Sequence, residues 1–306
     1  MCVPIRNQIP EPRMKRPPEN KKMTPYTLIR NTAARFREAG IPDPENDSAL
    51  LLCFLTGTRN PLSLRLDTDT LLEDSVLQAY EELAERRIRR EPLQYITGEA
   101  PFFGRIFRVD PRVLIPRPET ELLCEWALEV LPHHSISVLD LCCGSGCIGL
   151  TLAAERPAWN VTLSDLSPDA LLVTRSNADF LGVRVSLQQG DLLEGLPDKA
   201  FDVILSNPPY IPTKECLSLQ EEVRREPVLA LDGGTDGLDF YRRIVSGASR
   251  VLKNGGLLMM ELGFGEAEEV RNILSGAGYS EIRIRKDLNG TNRMIASSLP
   301  YGGTYV

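Results

Sequence analysis

The sequence of 306 residues lacks any uninterrupted apolar run close to the roughly 20 residues that a membrane-spanning helix requires. Its N-terminus also lacks the apolar core of a secretory signal peptide. The seven cysteines are odd in number and share no repeated spacing, so they do not form a disulfide framework and fit a reducing compartment. We therefore expect a cytoplasmic protein that does not associate with a membrane.

The sequence also lacks an excess of positive charge and lacks common metal-binding motifs. The formal net charge is −7, which provides no electrostatic footprint for a polyanion, so direct binding to nucleic acid is not expected. No C-x-x-C pair accompanies the only histidines, His133 and His134, and the adjacent Cys142 and Cys143 would point to opposite sides of a strand. We expect no metal, and we interpret these cysteines as small apolar packing residues.

The texture of the sequence changes along the chain and predicts four segments. Residues 1–22 are rich in Pro, Lys and Arg without periodicity, which predicts a disordered extension. The segment that follows carries Leu28, Ile29 and Phe36 on one helical face and predicts the first of several helices. The predicted segments are the extension (1–22), a small helical domain (23–93), a β-hairpin linker (94–118) and a larger domain (119–306).

The larger domain alternates between strand-like and helix-like runs. The predicted strands are "ISVLDLC", "NVTLSDL", "RVSLQQ", "FDVILSN", "GGLLMMEL", "EIRIRK" and "RMIASS", with helices beginning near Glu119, Gly146, Pro168, Asp239 and Glu266. Nearly continuous apolar strands separated by helices are typical of a mostly parallel sheet covered on both faces. The sequence therefore predicts an α/β fold with a doubly wound sheet.

Three consecutive strands of this sheet end in residues suited to binding a nucleoside. The residues are Asp140 with the loop Cys142, Cys143, Gly144, Ser145 and Gly146, then Asp165, and then Asp191 with Leu192. A carboxylate at Asp165 can accept both hydroxyls of a ribose, and the backbone near Leu192 can meet an adenine edge. From Cys142 to Gly146 the loop is a poor match to a dinucleotide fingerprint, and Asp140 would repel a pyrophosphate. An adenosine with a charged, phosphate-free tail fits, as in S-adenosylmethionine.

Two of the three carboxylates also have a simpler interpretation. Asp165 precedes Ser-Pro and can cap the following helix, and Asp191 can be a turn residue. The convergence of all these residues on adjacent strand ends favours a ligand site.

The fourth strand ends in Asn207, Pro208, Pro209 and Tyr210. Two prolines fix an extended backbone, so the Asn207 side-chain oxygen and the Pro208 carbonyl can accept both hydrogens of a planar –NH₂ group, and Tyr210 offers a flat face. Such an amine is a poor nucleophile, and holding it in line with a sulfonium methyl is catalysis by positioning. We therefore expect Asn207, Pro208 and Tyr210 to be catalytic, Pro209 to bind substrate with them, and Asn207 also to contact the cofactor.

The chain from about Thr24 onward resembles the class I S-adenosylmethionine-dependent methyltransferases with a Rossmann-like sheet. Within them it is similar to the N5-glutamine methyltransferases of peptide chain release factors. The resemblance rests on "PLQYITGEAPFFG", "VLIPRPETELL", "DLCCGSGCIGL", "SNPPYIP" and "EPVLALDGGTDGLDFYRRI". It implies S-adenosylmethionine as cofactor, class 1 release factors as partners, and methylation of the glutamine in their Gly-Gly-Gln motif. It also implies that the helical domain recognises the release factor.

The resemblance leaves some points open. Family members often have Gly at the position of Cys142, where a side chain either narrows the pocket or only alters the turn. Arg117 and Glu119 in "IPRPETE" either touch ligand or brace the hairpin. N-P-P-Y is shared with adenine-N6 methyltransferases, so an amino methyltransferase acting on adenine or guanine in nucleic acid is the alternative. A binding module with a vestigial cofactor site is a third hypothesis.

Overall fold

The computed structural model describes residues 23–300 and divides the chain into two compact units between Ile88 and Arg89. The N-terminal segment predicted to be disordered lies outside the described residues. Within residues 23–300, no helix is both long enough and apolar enough to cross a membrane.

The first unit is built from helices. They are α1 (Pro25–Glu38), α2 (Pro44–Thr56), α3 (Pro61–Leu66) and α4 (Asp74–Ile88). Helix α1 begins at Pro25, where Thr24 accepts a hydrogen bond from the Thr27 N–H and Pro25 occupies the first turn. Its predicted apolar face, including Ile29 and Phe36, is buried. Tyr80 of α4 is fully buried and donates a hydrogen bond to the α2 backbone.

The second unit begins with a short helix and a hairpin before the α/β alternation. Its helices are α5 (Leu93–Thr97), α6 (Pro118–Val130), α7 (Cys147–Glu155), α8 (Pro168–Leu181), α9 (Thr213–Cys216), α10 (Asp239–Val251) and α11 (Ala267–Gly276). Its strands are β1 (Glu99–Phe102), β2 (Arg105–Arg108), β3 (Ser137–Leu141), β4 (Asn160–Asp165), β5 (Ser186–Gln189), β6 (Phe201–Ser206), β7 (Leu252–Glu261), β8 (Ser280–Lys286) and β9 (Asn292–Ser298).

The hairpin joins β1 and β2 in antiparallel register through a tight turn. Phe103 and Gly104 both have positive φ, at 49° and 70°, which is the geometry that matches the twist of a two-residue hairpin loop.

The large sheet has the order β5-β4-β3-β6-β7-β9-β8, with β9 antiparallel to both of its neighbours and the other pairs parallel. Alternate residues of each central strand enter two separate cores. On β3, Val138 packs with residues of α6, α7 and α8, whereas Leu139 packs with residues of α10 and α11. Helices therefore cover both faces of the sheet, which confirms the predicted doubly wound α/β fold.

Candidate active site

Two cavities lie at the carboxyl ends of the parallel strands, and they share Leu114, Asn207 and Ala230 in their walls. Of the residues proposed from the sequence, the first cavity is lined by Cys142, Gly144, Asp165, Asp191, Leu192, Asn207 and Pro209. The second cavity is lined by Asn207, Pro208 and Tyr210 together with Arg117, Glu119 and Arg293. The structure thus brings the ends of β4 and β6 and the loops after β3 and β5 to a common site.

The loop from β3 to α7 turns through left-handed backbone conformations. Cys142, Gly144 and Gly146 have φ values of 61°, 54° and 81°. Glycine adopts this region without strain, but a side chain as at Cys142 costs about 1–2 kcal/mol there. At Gly146 a β-carbon would lie 2.8 Å from Thr174 Cγ2 of α8. The tight turn therefore depends on its glycines, and Cys142 brings its side chain to the first cavity at a conformational cost.

Gly149 is a residue that the sequence analysis missed. Together with Gly144 and Gly146 it completes the spacing G-x-G-x-x-G, so the chain does carry the glycine pattern of a dinucleotide fingerprint, contrary to the expectation from Cys142 to Gly146 alone. A β-carbon at Gly149 would lie 2.7 Å from Leu163 Cγ and 2.9 Å from Asp140 Oδ2. The third glycine thus serves close helix-to-strand packing, as in dinucleotide-binding folds. The case against a pyrophosphate rests on the acidic residues rather than on the glycine pattern.

Asp165 joins two loops at the mouth of the first cavity. Its Oδ2 accepts the Gly144 N–H at 2.8 Å and its Oδ1 accepts the Ser167 N–H at 2.9 Å. Burial raises the pKa of Asp165, while these backbone N–H groups lower it. The cap of α8 is Ser167, whose hydroxyl accepts from Ala170, so Asp165 ties the turn before the helix. A carboxylate has about four acceptor positions, and two remain for the hydroxyls of a ribose.

Four of the proposed cofactor residues, Asp140, Cys143, Ser145 and Gly146, contact helices α7 and α8 behind the cavity wall. Asp140 is 0% exposed and its Oδ2 accepts the Gly149 N–H at 2.7 Å. Cys143 Sγ lies 3.6 Å from Thr174 Oγ1, and the Ser145 carbonyl accepts from Asn177 at 2.9 Å. We expect these four residues to shape the loop rather than to touch the cofactor.

The walls of the first cavity fit the expected S-adenosylmethionine. Leu114, Leu229 and Phe240 supply apolar surface, and the carboxylate of Asp165 suits ribose hydroxyls better than a phosphate. The carboxylate of Asp191 accepts a hydrogen bond from Arg243 at 2.8 Å. Ser164 also lines this cavity, and its fully buried Oγ has no hydrogen-bond partner within residues 23–300.

The segment from Asn207 to Tyr210 is clamped by the loop that precedes α10. Ile211 N–H donates to the Leu231 carbonyl at 2.9 Å, and Gly233 N–H donates to the Ile211 carbonyl at 2.8 Å. A β-carbon at Gly233 would lie 2.7 Å from Tyr210 Cα, and one at Gly237 would lie 2.5 Å from the Tyr210 carbonyl oxygen. Only glycine allows this approach, so the loop holds the tetrapeptide in one place.

A chain of side-chain hydrogen bonds supports Asn207. Its Nδ2 donates to Thr120 Oγ1 at 3.2 Å, and Thr120 Oγ1 donates to Glu261 Oε2 at 2.6 Å. Tyr210 OH donates to Glu261 Oε1 at 3.3 Å. Burial raises the pKa of Glu261 to about 7, against the lowering effect of Thr120 and the nearby Arg293. Thr120 and Glu261 were not among the residues proposed from the sequence, although Glu261 ends an apolar strand as Asp165 does.

Arg117 has a role in the wall of the second cavity and in bracing the chain. It pairs with Glu226, whose carboxylate also accepts the Ile115 N–H at 2.9 Å. Burial raises the pKa of Glu226, and Arg117 lowers it. Glu119 lines the same cavity.

Within residues 23–300, no group of three or more His, Cys, Asp or Glu residues could hold a metal ion.

Comparisons with known proteins find matches along most of the chain. Residues 27–98 match the family described as PrmC N-terminal domain, and residues 120–234 match the Methyltransferase small domain family. The release factor glutamine methyltransferase of Geobacter sulfurreducens is 43% identical over 269 residues, covering 88% of this chain and 94% of that protein. The protein of the same name from Chlorobaculum tepidum is 42% identical over 289 residues, covering 90% and 97%.

Among solved structures, a methyltransferase from Pyrococcus furiosus aligns with a TM-score of 0.51 and 18% identity, covering 71% of this chain and 98% of that chain. At this identity the likeness concerns the fold.

Proposed function

The chain belongs to the release factor glutamine methyltransferase family and is an S-adenosylmethionine-dependent methyltransferase, and from this premise we propose its acceptor atom. The acceptor is the side-chain amide nitrogen, N5, of the glutamine in the Gly-Gly-Gln motif of class 1 peptide chain release factors. Release factors act in translation, so we also propose that the reaction takes place in the cytoplasm.

The position of Asn207 is the observation that supports this proposal. Asn207 lines both cavities, so it lies where a methyl donor in the first cavity would meet an acceptor in the second. Within residues 23–300, no group donates a hydrogen bond to Asn207 Oδ1 or to the Pro208 carbonyl oxygen. These two oxygens can accept the two hydrogens of a primary amide.

S-adenosylmethionine supplies an electrophilic methyl group on a sulfonium sulfur. The residues of the chain orient the acceptor: Asn207 and Pro208 hold the –NH₂ group by both hydrogens, and Tyr210 provides a surface for the planar amide. With the cofactor bound, the amide nitrogen held by Asn207 and Pro208 would take the methyl group, the carbon–sulfur electron pair would stay on sulfur to give neutral S-adenosylhomocysteine, and the surplus amide proton would pass to water. Because the amide lone pair is delocalised, directing it at the methyl group is the main task of the site.

We also propose roles for the residues around these cavities. Asp165 binds the ribose hydroxyls, Asp191 and Leu192 bind the adenosine, and Cys142 and Gly144 contact the methionine end of the cofactor. The helical unit, described from residue 23 to residue 88, recognises the release factor. A match of residues 27–98 to the N-terminal domain of the family supports this division of labour.

The proposal is tested by incubating the purified chain with a class 1 release factor and S-adenosylmethionine, followed by tryptic mass spectrometry. We expect one methyl group on the Gly-Gly-Gln glutamine. Asn207→Ala should lower the rate by about 100-fold or more, as for the loss of a preorganised polar group in other active sites. Asn289→Ala, at an exposed turn between β8 and β9, is the matched control and should leave the rate unchanged.

Two results would contradict the proposal. Methyl transfer to DNA or ribosomal RNA with release factors left unmodified would favour the amino methyltransferase of nucleic acids. A methyl group on another residue of the release factor would refute the assignment of the acceptor atom.

A further inference from the structure

Thr120 and Glu261 are distant in sequence but form a buried pair beneath Asn207. Thr120 is 1% exposed and Glu261 is 1% exposed. Thr120 stands in the first turn of α6, and Glu261 is the last residue of β7. Their short hydrogen bond of 2.6 Å is fixed by two elements that pack against each other in the core.

The hydroxyl of Thr120 determines which end of the Asn207 amide it meets. A threonine hydroxyl has one hydrogen, and here it is donated to the Glu261 carboxylate. Toward Asn207 the same oxygen can only accept, so it selects the –NH₂ end of the amide at 3.2 Å. The amide oxygen of Asn207 therefore lies at the other end of the amide, directed away from Thr120.

We propose that Thr120 and Glu261 are positioning residues that hold the Asn207 amide in one of its two orientations, so that Oδ1 faces the substrate amide. The inference rests on the proposed function, because the orientation of the Asn207 amide matters only if the group that receives the methyl is an –NH₂ group. In the reverse orientation, Asn207 would present its own –NH₂ group to the –NH₂ of the substrate. Two donors would then face each other, and the substrate amide would lose one of its two acceptors.

The direction of this hydrogen-bond chain depends on the charge of Glu261. An ionised Glu261 can only accept, which forces Thr120 to donate to it. A protonated Glu261 can donate to Thr120, and the Thr120 hydrogen is then released toward Asn207, where it favours the amide oxygen. Burial raises the pKa of Glu261 to about 7, so the productive direction is lost as the pH falls through this region.

Other charged or titratable groups face Glu261 and share in setting this transition. They are Glu119 and Cys124 of α6, Cys147 of α7, Tyr210 after β6, Tyr241 of α10, which donates to the Glu261 carbonyl, and Arg293 of β9. Arg293 favours the ionised form of Glu261, whereas Glu119 favours the protonated form.

The experiment compares Thr120→Val, Thr120→Ser and the wild-type chain with a release factor as substrate. Valine keeps the shape of threonine but cannot accept a hydrogen bond from Asn207. We therefore expect kcat to fall by about tenfold, which corresponds to the loss of one buried hydrogen bond. Serine keeps the hydroxyl and should restore kcat to within about threefold of wild type. The dissociation constant of S-adenosylmethionine, measured by calorimetry, should stay within about twofold in both variants.

Thr151→Val is the matched control. Thr151 is a fully buried threonine of α7 whose hydroxyl has no hydrogen-bond partner within residues 23–300. Its replacement tests the loss of a buried hydroxyl away from Asn207, and kcat should not change. The pH profile adds a second readout: wild-type kcat should decline below about pH 7, and this limb should flatten in Thr120→Val.

Three results would overturn the inference while leaving the proposed function intact. They are an unchanged kcat in Thr120→Val, a serine variant as slow as the valine variant, or a loss of cofactor affinity that matches the loss of kcat. A wild-type chain that methylates no release factor would instead refute the proposed function, and the inference with it.

Discussion

Replacing Asp140 with asparagine tests how much the burial of one carboxylate lowers the free energy of unfolding as the pH rises. Asp140 is 0% exposed, its Oδ2 accepts the Gly149 N–H at 2.7 Å, and its Oδ1 has no hydrogen-bond partner within residues 23–300. Burial raises the pKa of Asp140 to about 7, with a contribution from the charge of Asp165, against the lowering effect of the Gly149 N–H. Asparagine keeps the shape and the bond to Gly149 but carries no charge.

The sign of the effect follows from proton binding. The folded chain keeps the Asp140 proton up to about pH 7, whereas the unfolded chain loses it above about pH 4. Between these values the unfolded state binds fewer protons, so this group makes the folded state less stable as the pH rises. From pH 5 to pH 8 the two pKa values correspond to a loss of about 2–3 kcal/mol in the free energy of unfolding.

The assay is guanidinium unfolding at pH 5 and pH 8, followed by the fluorescence of Trp126 and Trp159, which both lie in the second unit. We expect the stability of Asp140→Asn relative to wild type to rise by about 2–3 kcal/mol between these pH values. An unpaired –NH₂ group on the new side chain changes the free energy of unfolding by the same amount at pH 5 and at pH 8. The quantity to compare is therefore the difference between the two pH values.

Asp198→Asn is the control for this experiment, because the Asp198 side chain is 71% exposed and its loss removes the same charge from the surface. Its stability relative to wild type should vary by less than about 0.5 kcal/mol. The same pH dependence in wild type and Asp140→Asn would refute the cost assigned to the buried charge.

Two further predictions concern the cofactor site and the packing behind it. Asp165→Asn replaces a charged acceptor, so the dissociation constant for S-adenosylmethionine should rise by about 10- to 100-fold in calorimetry; an unchanged affinity would remove Asp165 from the ribose site. Gly149→Ala should lower the free energy of unfolding by about 1–3 kcal/mol, because its β-carbon would approach Leu163 Cγ to 2.7 Å. Gly276→Ala, where a β-carbon would meet nothing within 4 Å, is its control and should be neutral or slightly stabilising; equal losses in both variants would contradict the packing explanation.

The sequence predicts the long elements of the fold well because burial imposes strong local patterns. A parallel strand covered on both faces must be apolar at nearly every position, as at Phe201–Ser206, and a helix on one face must repeat its apolar residues, as at Pro25–Glu38. Helices α3, α5 and α9 have six, five and four residues, too few turns to show a period, and they were not predicted.

The candidate site was predicted less completely, because the register between neighbouring strands cannot be predicted from the local sequence. Asp140 and Asp165 both end apolar strands and look alike in the sequence. In the sheet, Asp140 pairs with Leu163, so it lies two residues deeper than Asp165, which pairs with Gln189 of β5. Asp140 is therefore enclosed by α7, and Asp165 reaches the first cavity. The offset between neighbouring strands depends on how the covering helices pack, which is a property of the whole fold.

The N-P-P-Y segment shows how local rigidity and distant support combine. The prolines restrict the backbone, but an asparagine side chain can still rotate its amide by half a turn at little cost. Thr120, which donates to Glu261, accepts from the –NH₂ end of that amide, and Gly233 and Gly237 let a second loop close on the Tyr210 backbone. Rapid transfer should therefore require this support as well as an intact tetrapeptide. A chain that keeps N-P-P-Y but loses the acceptor hydroxyl of α6 should bind S-adenosylmethionine normally and still methylate its substrate slowly.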